Sequence, residues 1–426
     1  MARPEPSKLS LSASDTVPVS RGRWLPALHY PAYRLFWAGM LCLAGGIQVT
    51  MVSQLWLVHQ LTGSPAYLGF VQFVSTFPLM VLSLLGGVLA DRIDRGLFII
   101  FSRSVIALVN LVMAALVLTG QVEIWQVVIA ALVGAMVVSI EVPARMATYP
   151  TLVDGRDLPN AVTLNIAAWN ITGIAGPAIA GPLVSLMGPG GGFALGAVLQ
   201  ATAVGFFTVL RSRHSTSAPD RDGAPEDSLW RSLVDGMRYL RGHAVLLPLF
   251  LLAIAPNALG SSYMALLPAF AADVLHGDAA LYGSLLSAGG FGAAIATAYI
   301  ALAGDLPRKG AISAFAGVAI GVLLAVFAQM RVPLTALSAA AVLGVAQAAF
   351  MTLNSILIQS HVDDAYRGRV MSVLMMVWGF GAFGTLGLGA LASSVGVPAA
   401  LVLAAAIVAV SVLFVGARFR QLLRLS

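Results

Sequence analysis

The stretch "GGVLADRIDRG", residues 86–96, places Asp91, Arg92, Asp94 and Arg95 between two long apolar runs. Each flanking run exceeds the roughly 20 residues that a helix needs to cross the hydrocarbon core of a bilayer. The charges therefore indicate a short polar turn between two membrane-spanning helices. This pattern, repeated along the chain, decides the fold.

The composition of the whole chain agrees with this interpretation. Of its 426 residues, 59% are hydrophobic and 10% are charged, against about 25% charged in a soluble domain. The net charge of +6 does not indicate nucleic-acid binding, because the basic residues form short scattered clusters rather than one patch. The single cysteine, Cys42, excludes an intrachain disulfide and a cysteine metal cluster. We expect a membrane protein that holds no metal.

Twelve apolar runs are long enough to span the membrane. We place them at residues 33–57, 66–90, 97–119, 124–147, 159–187, 192–211, 244–271, 280–303, 310–330, 333–359, 366–394 and 398–417. With a cytoplasmic N-terminus, every Lys and Arg except Arg331 lies on the cytoplasmic side or at a cytoplasmic helix end, where basic residues are retained. The sequence therefore predicts an all-α membrane protein with twelve transmembrane helices and both termini in the cytoplasm.

The spans fall into two groups of six. We predict that residues 1–32 are a disordered cytoplasmic tail, 33–211 the N-terminal six-helix bundle, 212–243 a cytoplasmic linker, 244–417 the C-terminal six-helix bundle, and 418–426 a second cytoplasmic tail. The end of the linker, "SLWRSLVDGMRYLRGH", carries its apolar residues on one helical face. That pattern predicts an amphipathic helix lying in the membrane interface.

The two bundles show a weak internal repeat. Asp91 and Arg95 of the opening stretch align with Asp305 and Lys309, which again lie between the second and third spans of a bundle. Two six-helix repeats are typical of carriers that work by alternating access, with the binding site near the midplane between them.

Six stretches carry a family resemblance: "GVLADRIDRG", "YRLFWAGM", "WLVHQLTGSPAYLG", "EVPARMATYPTLV", "NITGIAGPAIAGPL" and "RGRVMSVLMM". The first resembles the loop signature of the major facilitator superfamily, and together they resemble its branch of bacterial drug exporters and the enterobactin exporter. The resemblance implies the major facilitator fold, a small-molecule substrate and the bacterial plasma (inner) membrane. The chain departs from the pattern of this branch at two places. Gly96 stands where the signature usually has a second basic residue, and "LAGGIQVT" in the first span lacks the acidic residue that relatives often carry there.

The signature and the repeat together suggest a gate on the cytoplasmic side. Asp91 would pair with the start of the eleventh span, "YRGRV", when that side is closed, and would separate from it when that side opens. The alternative is a solvated turn that follows the distribution of basic residues. The residues assigned to the gate are Gly87, Asp91, Arg92, Arg95, Asp305, Arg367 and Arg369.

Glu141 and Arg145 form an i, i+4 pair in the fourth span, with Pro143 between them. An ionisable group at the centre of a membrane helix costs about 2.5 to 3.5 kcal/mol, so it normally has a partner or a function. We retain two interpretations. One is an intrahelical ion pair at a kinked helix end, and the other is a proton-coupling site in which Glu141 is the proton-sensitive carboxylate.

Small residues and prolines are concentrated in the fifth span. Gly173, Gly176, Pro177 and Gly181 leave one region of that helix without bulky side chains, which permits close approach of a neighbouring helix and local bending. Close packing alone explains the pattern, whereas the family resemblance also implies a role in conformational change.

The family resemblance implies a substrate cavity lined by the first, fourth, seventh and tenth spans. Uncharged polar residues and methionines there suit an adaptable pocket for an amphiphilic or apolar compound, and hydrogen bonding between helices is the alternative role for each. The candidate lining residues are Thr50, Gln54, Asn257, Ser261, Met264, Gln347, Met351 and Asn354. His59, near the outer end of the first span, is expected to have no role.

Motifs for other functions are absent from the sequence. It contains no Gly-x-x-x-x-Gly-Lys loop, no His-Glu-x-x-His helix and no Gly-x-Ser-x-Gly elbow. We therefore expect no enzymatic activity and no cofactor, with a proton gradient as the energy source. The predicted function is proton-coupled efflux of small hydrophobic or amphiphilic compounds, drug-like or siderophore-like, by a monomer that lies in the bilayer and binds no nucleic acid.

Two alternative functions remain open at this point. The same architecture suits an uptake carrier or facilitator for a metabolite, because transport direction is not encoded in the fold. It also suits a lysolipid flippase that uses the same two bundles.

Replacing Asp91 by Asn tests the gate. The substitution removes the charge and preserves the size of the side chain, so we expect slower transport at unchanged abundance in the membrane. Transport by whole cells, normalised to the amount of protein in isolated membranes, measures both quantities. A normal transport rate would rule out the gate.

Overall fold

The computed structural model describes residues 25–90, 94–213, 229–304, 306–363 and 366–425. These parts of the chain contain helices and no β-strand, because a helix satisfies its backbone hydrogen bonds internally in lipid. The α-helices are α1 (Pro31–Thr62), α2 (Pro65–Ala90), α3 (Arg95–Leu118), α4 (Ile124–Thr148), α5 (Leu158–Arg213), α6 (Leu229–Gly242), α7 (Leu246–Ala255), α8 (Tyr263–Ala269), α9 (Ala279–Ala303), α10 (Lys309–Ala328), α11 (Pro333–His361), α12 (Arg367–Val395) and α13 (Val397–Arg418).

The number of membrane spans agrees with the prediction. Ten segments of the described chain are long and apolar enough to cross a membrane, and Gly379–Val395 in α12 is a shorter apolar segment. The α5 segment contains two spans, because Gly188 has a φ of 71° and a ψ of 175° and is followed by Pro189. With α5 counted as two spans and α12 as one, the fold has twelve transmembrane helices in two groups of six.

The first described residues correct the prediction of a disordered tail that extends through residue 32. Pro26–His29 form a turn of 3-10 helix, and α1 already begins at Pro31. The amide of Ala27 donates a hydrogen bond to Asn160 Oδ1 at 3.0 Å. This contact fixes the segment against the start of α5, so the predicted tail boundary is wrong for these residues.

The ends of the helices define two faces of the molecule. The linker face carries α6 and the loops before α3 and α12, and the far face carries the loops before α2 and α9. On the linker face, Tyr239 of α6 stacks on Tyr366 with ring centroids 4.3 Å apart and donates a hydrogen bond to Asp363. Leu240 is buried and Arg238 is exposed, so α6 has one apolar and one polar side and packs on the start of α12.

The predicted seventh span is not a continuous α-helix. It consists of α7, a π-helical turn at Pro256–Gly260, α8, and a second π-helical turn at Phe270–Val274. Pro256 has no backbone N–H to donate within the helix. Gln347 of α11 donates its side-chain amide to the carbonyl of Gly260 at 2.5 Å. This bond satisfies a backbone group in the irregular turn and joins the two spans.

The two halves approach each other most closely near the far face. A Cβ atom on Gly69 of α2 would lie 2.4 Å from the carbonyl oxygen of Thr385 in α12. Between α5 and α9, a Cβ atom on Gly283 would lie 2.4 Å from the carbonyl oxygen of Pro177 and 2.8 Å from the Cα atom of Gly181. Real Cβ atoms do not come this close, so these crossings require glycine, as small-residue helix pairs in membranes do.

The other two glycines singled out in the fifth span pack against α1, and the carbonyl of Gly173 also faces Gly290 of α9, whose added Cβ atom would lie 3.0 Å away. A Cβ atom on Gly176 would lie 2.6 Å from the Cβ atom of Gln48 in α1, and one on Gly173 would lie 3.3 Å from the Gln48 amide nitrogen. Close packing therefore accounts for Gly173 and Gly176. Pro177 and Gly181, like the carbonyl of Gly173, lie at the contact between the halves, where a conformational change would have its effect.

Gly283→Val should prevent the far face from closing, because the added side chain meets backbone atoms of α5. We expect a cysteine at position 279, buried in the closed face, to react several-fold faster with a membrane-impermeant maleimide. The measurement uses Ala279→Cys in a Cys42→Ala background. Gly205→Val is the matched control, because a Cβ atom on Gly205 meets nothing within 4 Å. Equal labelling rates with and without Gly283→Val would contradict this account.

Candidate functional site

Three charged side chains of α3 and α4 are buried together in the first half. Glu141 accepts a hydrogen bond from Arg103 Nη2 at 2.9 Å on one oxygen and from Arg145 Nε at 3.0 Å on the other. The side chains of Arg103, Glu141 and Arg145 are 0%, 1% and 6% exposed. We call these residues the charge triad. Two guanidinium groups share one carboxylate, so the charge triad carries a net positive charge.

Two further helices hold the charge triad in place. Arg145 donates from Nη1 to Met40 Sδ of α1 at 3.3 Å, and its guanidinium lies 5.7 Å from the ring centroid of Trp169 in α5, within the range of a cation–π interaction. Arg103 is less well satisfied, since its Nε and Nη1 atoms have no hydrogen-bond partner among the described residues. Burial of unpaired polar groups is costly, so the ion pair with Glu141 must offset two unsatisfied N–H groups of Arg103.

Sequence reasoning identified Glu141 and Arg145 but missed Arg103. Arg103 lies in the apolar run "FIIFSRSVIALV", residues 98–109, and it was counted among the basic residues at cytoplasmic helix ends. Its position about two helical turns after Arg95 was the available signal, because a charge this far inside an apolar run usually has a buried partner.

A cavity of about 260 Å³ lies in the first half and is lined by residues of α1, α2, α3, α4 and α5. We call it the N-half cavity. Most of its wall is apolar, and the described part of the lining contains no charged residue. Its polar lining residues are Thr50, Gln54, Gln72, Ser75, Asn110, Ser139 and Gln200. It therefore includes two of the predicted cavity residues, Thr50 and Gln54.

Hydrogen bonds between helices use part of the polar lining of the N-half cavity. Asn110 Nδ2 donates to Thr50 Oγ1 at 3.0 Å, and Gln54 Nε2 donates to Ser75 Oγ at 3.3 Å. Gln200 is fully buried, and its Oε1 atom has no hydrogen-bond partner within the described chain. The wall of the cavity thus contains one unpaired acceptor, which lies beneath the accessible surface.

The charge triad lies one helical turn from the N-half cavity. Ile106 of α3 and Val138 of α4 line the cavity, and each is three residues from Arg103 or Glu141 in the sequence. Three residues of helix correspond to about 4.5 Å of rise and nearly the same helix face. The net charge of the triad therefore acts on the cavity from its linker-face side.

The six predicted cavity residues of the second half are absent from the described lining of the N-half cavity. Asn257 Nδ2 donates to the carbonyl of Ala253, and Ser261 Oγ donates to the carbonyl of Asn257, both at 2.8 Å. Gln347 bonds to Gly260 as described above. These three residues make hydrogen bonds to backbone carbonyls around the broken seventh span. The others are Met264 and Met351, which are partly exposed, and Asn354, which is buried.

The charges of the opening stretch lie only partly in the described chain. Asp91 and Arg92, together with Asp305, lie outside the described residues. Gly87 lies in the last turn of α2, and Arg95 is the first residue of α3. The proposed contact of Asp91 with the eleventh span therefore stays a prediction.

The other side of the predicted gate is the start of α12. Arg367 is the first residue of that helix. Arg369 Nη1 lies 3.9 Å from Asp235 Oδ2 of α6, and the Arg369 guanidinium lies 5.5 Å from the ring centroid of Tyr366. The linker helix α6 is therefore one of the elements that position the start of α12.

Asp94 has a structural role that the sequence did not reveal. It caps α3 by accepting a hydrogen bond from the Leu97 amide at 2.9 Å, and it pairs with Arg211 at the end of α5 at 3.0 Å. Partial desolvation raises the pKa of Asp94, but the hydrogen bonds from Leu97 and Arg211 outweigh it and hold the pKa below its usual value. The turn after α2 is thereby fixed to the last turn of α5.

Polar contacts also join the halves at the far face. His59 Nε2 of α1 lies 3.4 Å from Asp273 Oδ1 in the second half. Ser185 Oγ of α5 donates to Asp278, the N-cap residue of α9, at 2.5 Å, and this bond lowers the pKa of Asp278. His59 lies near the outer end of the first span, as expected, and its side chain is at the contact between the halves.

The chain matches the transmembrane secretion effector family over residues 22–423, and it belongs to that family. Together with the fold and the relatives below, this match makes the chain a multi-pass membrane transporter of the major facilitator superfamily, in its exporter branch, and not an enzyme.

Three curated relatives cover most of the chain. The staphyloferrin A transporter of Staphylococcus aureus is 26% identical over 362 residues, 83% of this chain and 87% of the relative. The enterobactin exporter of Citrobacter koseri is 26% identical over 83% of this chain and 84% of its own length. A multidrug efflux pump of Mycolicibacterium fortuitum is 25% identical over 84% of this chain and 88% of its own length.

A solved structure agrees with the fold. A bacterial homologue of the human lysosomal transporter Spinster, in an inward-facing and unoccupied conformation, has a TM-score of 0.68 at 12% identity, over 94% of this chain and 99% of that chain. At this identity the likeness concerns the fold alone.

Glu141→Gln should destabilise the protein. The substitution leaves two buried guanidinium groups without a counter-charge, and loss of one partner of a buried ion pair costs about 3 to 5 kcal/mol. We expect a lower thermal unfolding temperature of the purified protein. Adding Arg103→Met should recover part of this loss, because one fewer buried charge stays unbalanced. Equal unfolding temperatures for Glu141→Gln and the unchanged protein would contradict the structural role of the triad.

Proposed function

We propose that the protein exports small amphiphilic compounds from the cytoplasm by alternating access, driven by the proton-motive force. Relatives named as a siderophore transporter, an enterobactin exporter and a multidrug efflux pump support export. In this proposal the linker face is cytoplasmic, in keeping with the distribution of Lys and Arg. The protein then acts as a monomer in the bacterial cell membrane.

The N-half cavity is the observation that carries this proposal. Apolar side chains form most of its wall, while Gln54, Asn110 and Gln200 offer hydrogen bonds without a full charge. This combination suits a molecule with one apolar part and one polar end. Met51 and Met113 also line the cavity, and methionine side chains adapt to ligands of different shapes.

The contacts at the far face support alternating access. The glycine crossing at Gly283 and the His59–Asp273 contact hold the two halves together on that side. Asp273 is 53% exposed, so water can replace its partner at little cost when the face opens. Substrate would then enter from the linker face and leave when the halves rock apart on the far face. The pairing of Asp91 with the start of α12 would close the linker face in that second state.

The charge triad favours the ion-pair interpretation of Glu141 over its interpretation as a proton carrier. Both carboxylate oxygens already accept charge-assisted hydrogen bonds. A proton on Glu141 would leave Arg103 and Arg145 without a counter-charge in a buried site. We therefore propose that the proton-motive force drives export without passing a proton through Glu141.

Efflux of the uncharged dye N-phenyl-1-naphthylamine from pump-deficient cells tests the proposal. We expect energised cells that express the protein to lose the dye several-fold faster than cells with an empty vector, and an uncoupler to abolish the difference. Gly134→Leu should abolish it too, because Gly134 lines the cavity and a Cβ atom there meets nothing within 4 Å, so the added side chain occupies the cavity. Gly205→Leu is the matched control outside the cavity lining.

Other outcomes would support the alternative functions. Faster dye accumulation in cells that express the protein would indicate an uptake carrier or facilitator. Movement of lysolipid in proteoliposomes without a pH gradient would indicate a flippase. Dye loss at the rate of the empty vector, with normal protein abundance in the membrane, would count against export.

A further inference from the structure

We infer that the N-half cavity takes an amphiphile whose polar end is anionic and also carries an O–H or N–H group, and that it disfavours lipophilic cations. This inference rests on the proposed function, since it names the substrate class of the same cavity. Four observations support it: the charge count of the buried site, its distance from the cavity, two sets of unused polar groups, and the cavity volume.

The first observation is the charge count. Arg103, Glu141 and Arg145 are the buried charged residues among the described residues, and arginine remains protonated at any physiological pH. Two positive charges and one negative charge leave one positive charge buried in the first half. The described part of the cavity lining has no acidic side chain to offset it.

The second observation is proximity. Ile106 and Val138 of the cavity wall lie one helical turn from Arg103 and Glu141. Inside a protein, with an effective dielectric constant of about 20, a unit charge about 10 Å away changes the affinity for a singly charged ligand by roughly tenfold. The sign of the net charge makes this effect favourable for an anion and unfavourable for a cation.

The third observation is the set of unused polar groups. Nε and Nη1 of Arg103 have no hydrogen-bond partner among the described residues, and neither does Oε1 of Gln200. Gln200 lines the cavity but is fully buried, so a ligand with a hydroxyl or amide hydrogen satisfies its oxygen once the side chain turns toward the cavity. A ligand that has both an anionic group and such a donor matches the field of the charge triad and this acceptor.

The fourth observation is the volume of the cavity. At about 260 Å³ the cavity is slightly smaller than sites for drug-sized ligands, which measure about 300 to 1,000 Å³. It therefore accommodates one end of a larger amphiphile or a compact aromatic anion. The rest of a larger molecule would extend out of the cavity.

Direct binding to the purified protein in nanodiscs tests the inference without requiring transport. The probes share one aromatic core: 8-anilinonaphthalene-1-sulfonate is anionic with an N–H group, N-phenyl-1-naphthylamine is its uncharged analogue, and a trimethylammonium derivative of the latter is the cation. The fluorescence that is present with the unchanged protein and absent with the Gly134→Leu variant is counted as binding in the cavity. We expect the affinity to fall about tenfold from the anion to the uncharged probe, with the cation weakest.

Substitutions of Arg103 separate the charge effect from packing. Arg103→Met leaves Glu141 and Arg145 as a neutral pair, so the ratio of the affinities for the sulfonate and the uncharged probe should fall to about one. Arg103→Lys keeps the charge and should keep the preference. Arg238→Met removes an exposed arginine of α6 and should change neither affinity.

Each result decides for or against the inference. Equal affinities for the three probes, or tighter binding of the cation, would overturn it, and so would an unchanged preference in Arg103→Met. If Arg103→Met does not fold, the order of the three probes on the unchanged protein still decides. If the probes bind in the expected order but no dye is exported from cells, the proposed function fails and the charge preference stands.

Discussion

The pairing of two buried arginines with one glutamate is the interaction on which the first half depends. Each charge would be strongly unfavourable alone in the membrane interior, so α3 and α4 must be rotated to bring Arg103 and Arg145 to opposite oxygens of Glu141. Met40 and Trp169 then place α1 and α5 against the same group. The N-half cavity lies one helical turn from the charge triad, toward the far face. The helices around it are the ones that the triad holds in position.

The surfaces where the two halves meet also affect how the halves can move. Gly69 and Gly283 bring backbones of the two halves into direct contact, and aromatic rings meet across the same boundary, with Trp56 stacked on Tyr282. Polar contacts such as His59–Asp273 are exposed on one side, so water can replace them when the halves separate. Two halves that are internally fixed by charge and packing, and joined by glycine crossings and aromatic contacts, are suited to move as rigid bodies.

Much of the fold could be predicted from the sequence because membrane insertion depends on one-dimensional features. Runs of apolar residues and the distribution of Lys and Arg need no knowledge of packing, and they predict the spans of all twelve helices. The sequence pairs Glu141 with Arg145 of the same helix, but it does not pair Glu141 with Arg103, because contact between α3 and α4 depends on helix rotation. The roles of Asn257 and Gln347 were also hidden. They satisfy carbonyls that become available only where Pro256 breaks the seventh span.

The net charge of the buried site also bears on the energy source. A proton on Glu141 would raise the positive charge beside the cavity, so proton and anion would favour each other's binding. Antiport requires them to oppose each other. An exporter of anions has another source of energy, since the membrane potential, negative inside, favours the exit of negative charge by about 2.3 kcal/mol per charge per 100 mV. For an anionic substrate, the electrical part of the proton-motive force therefore adds to the driving force for export, and Glu141 serves as a fixed counter-charge.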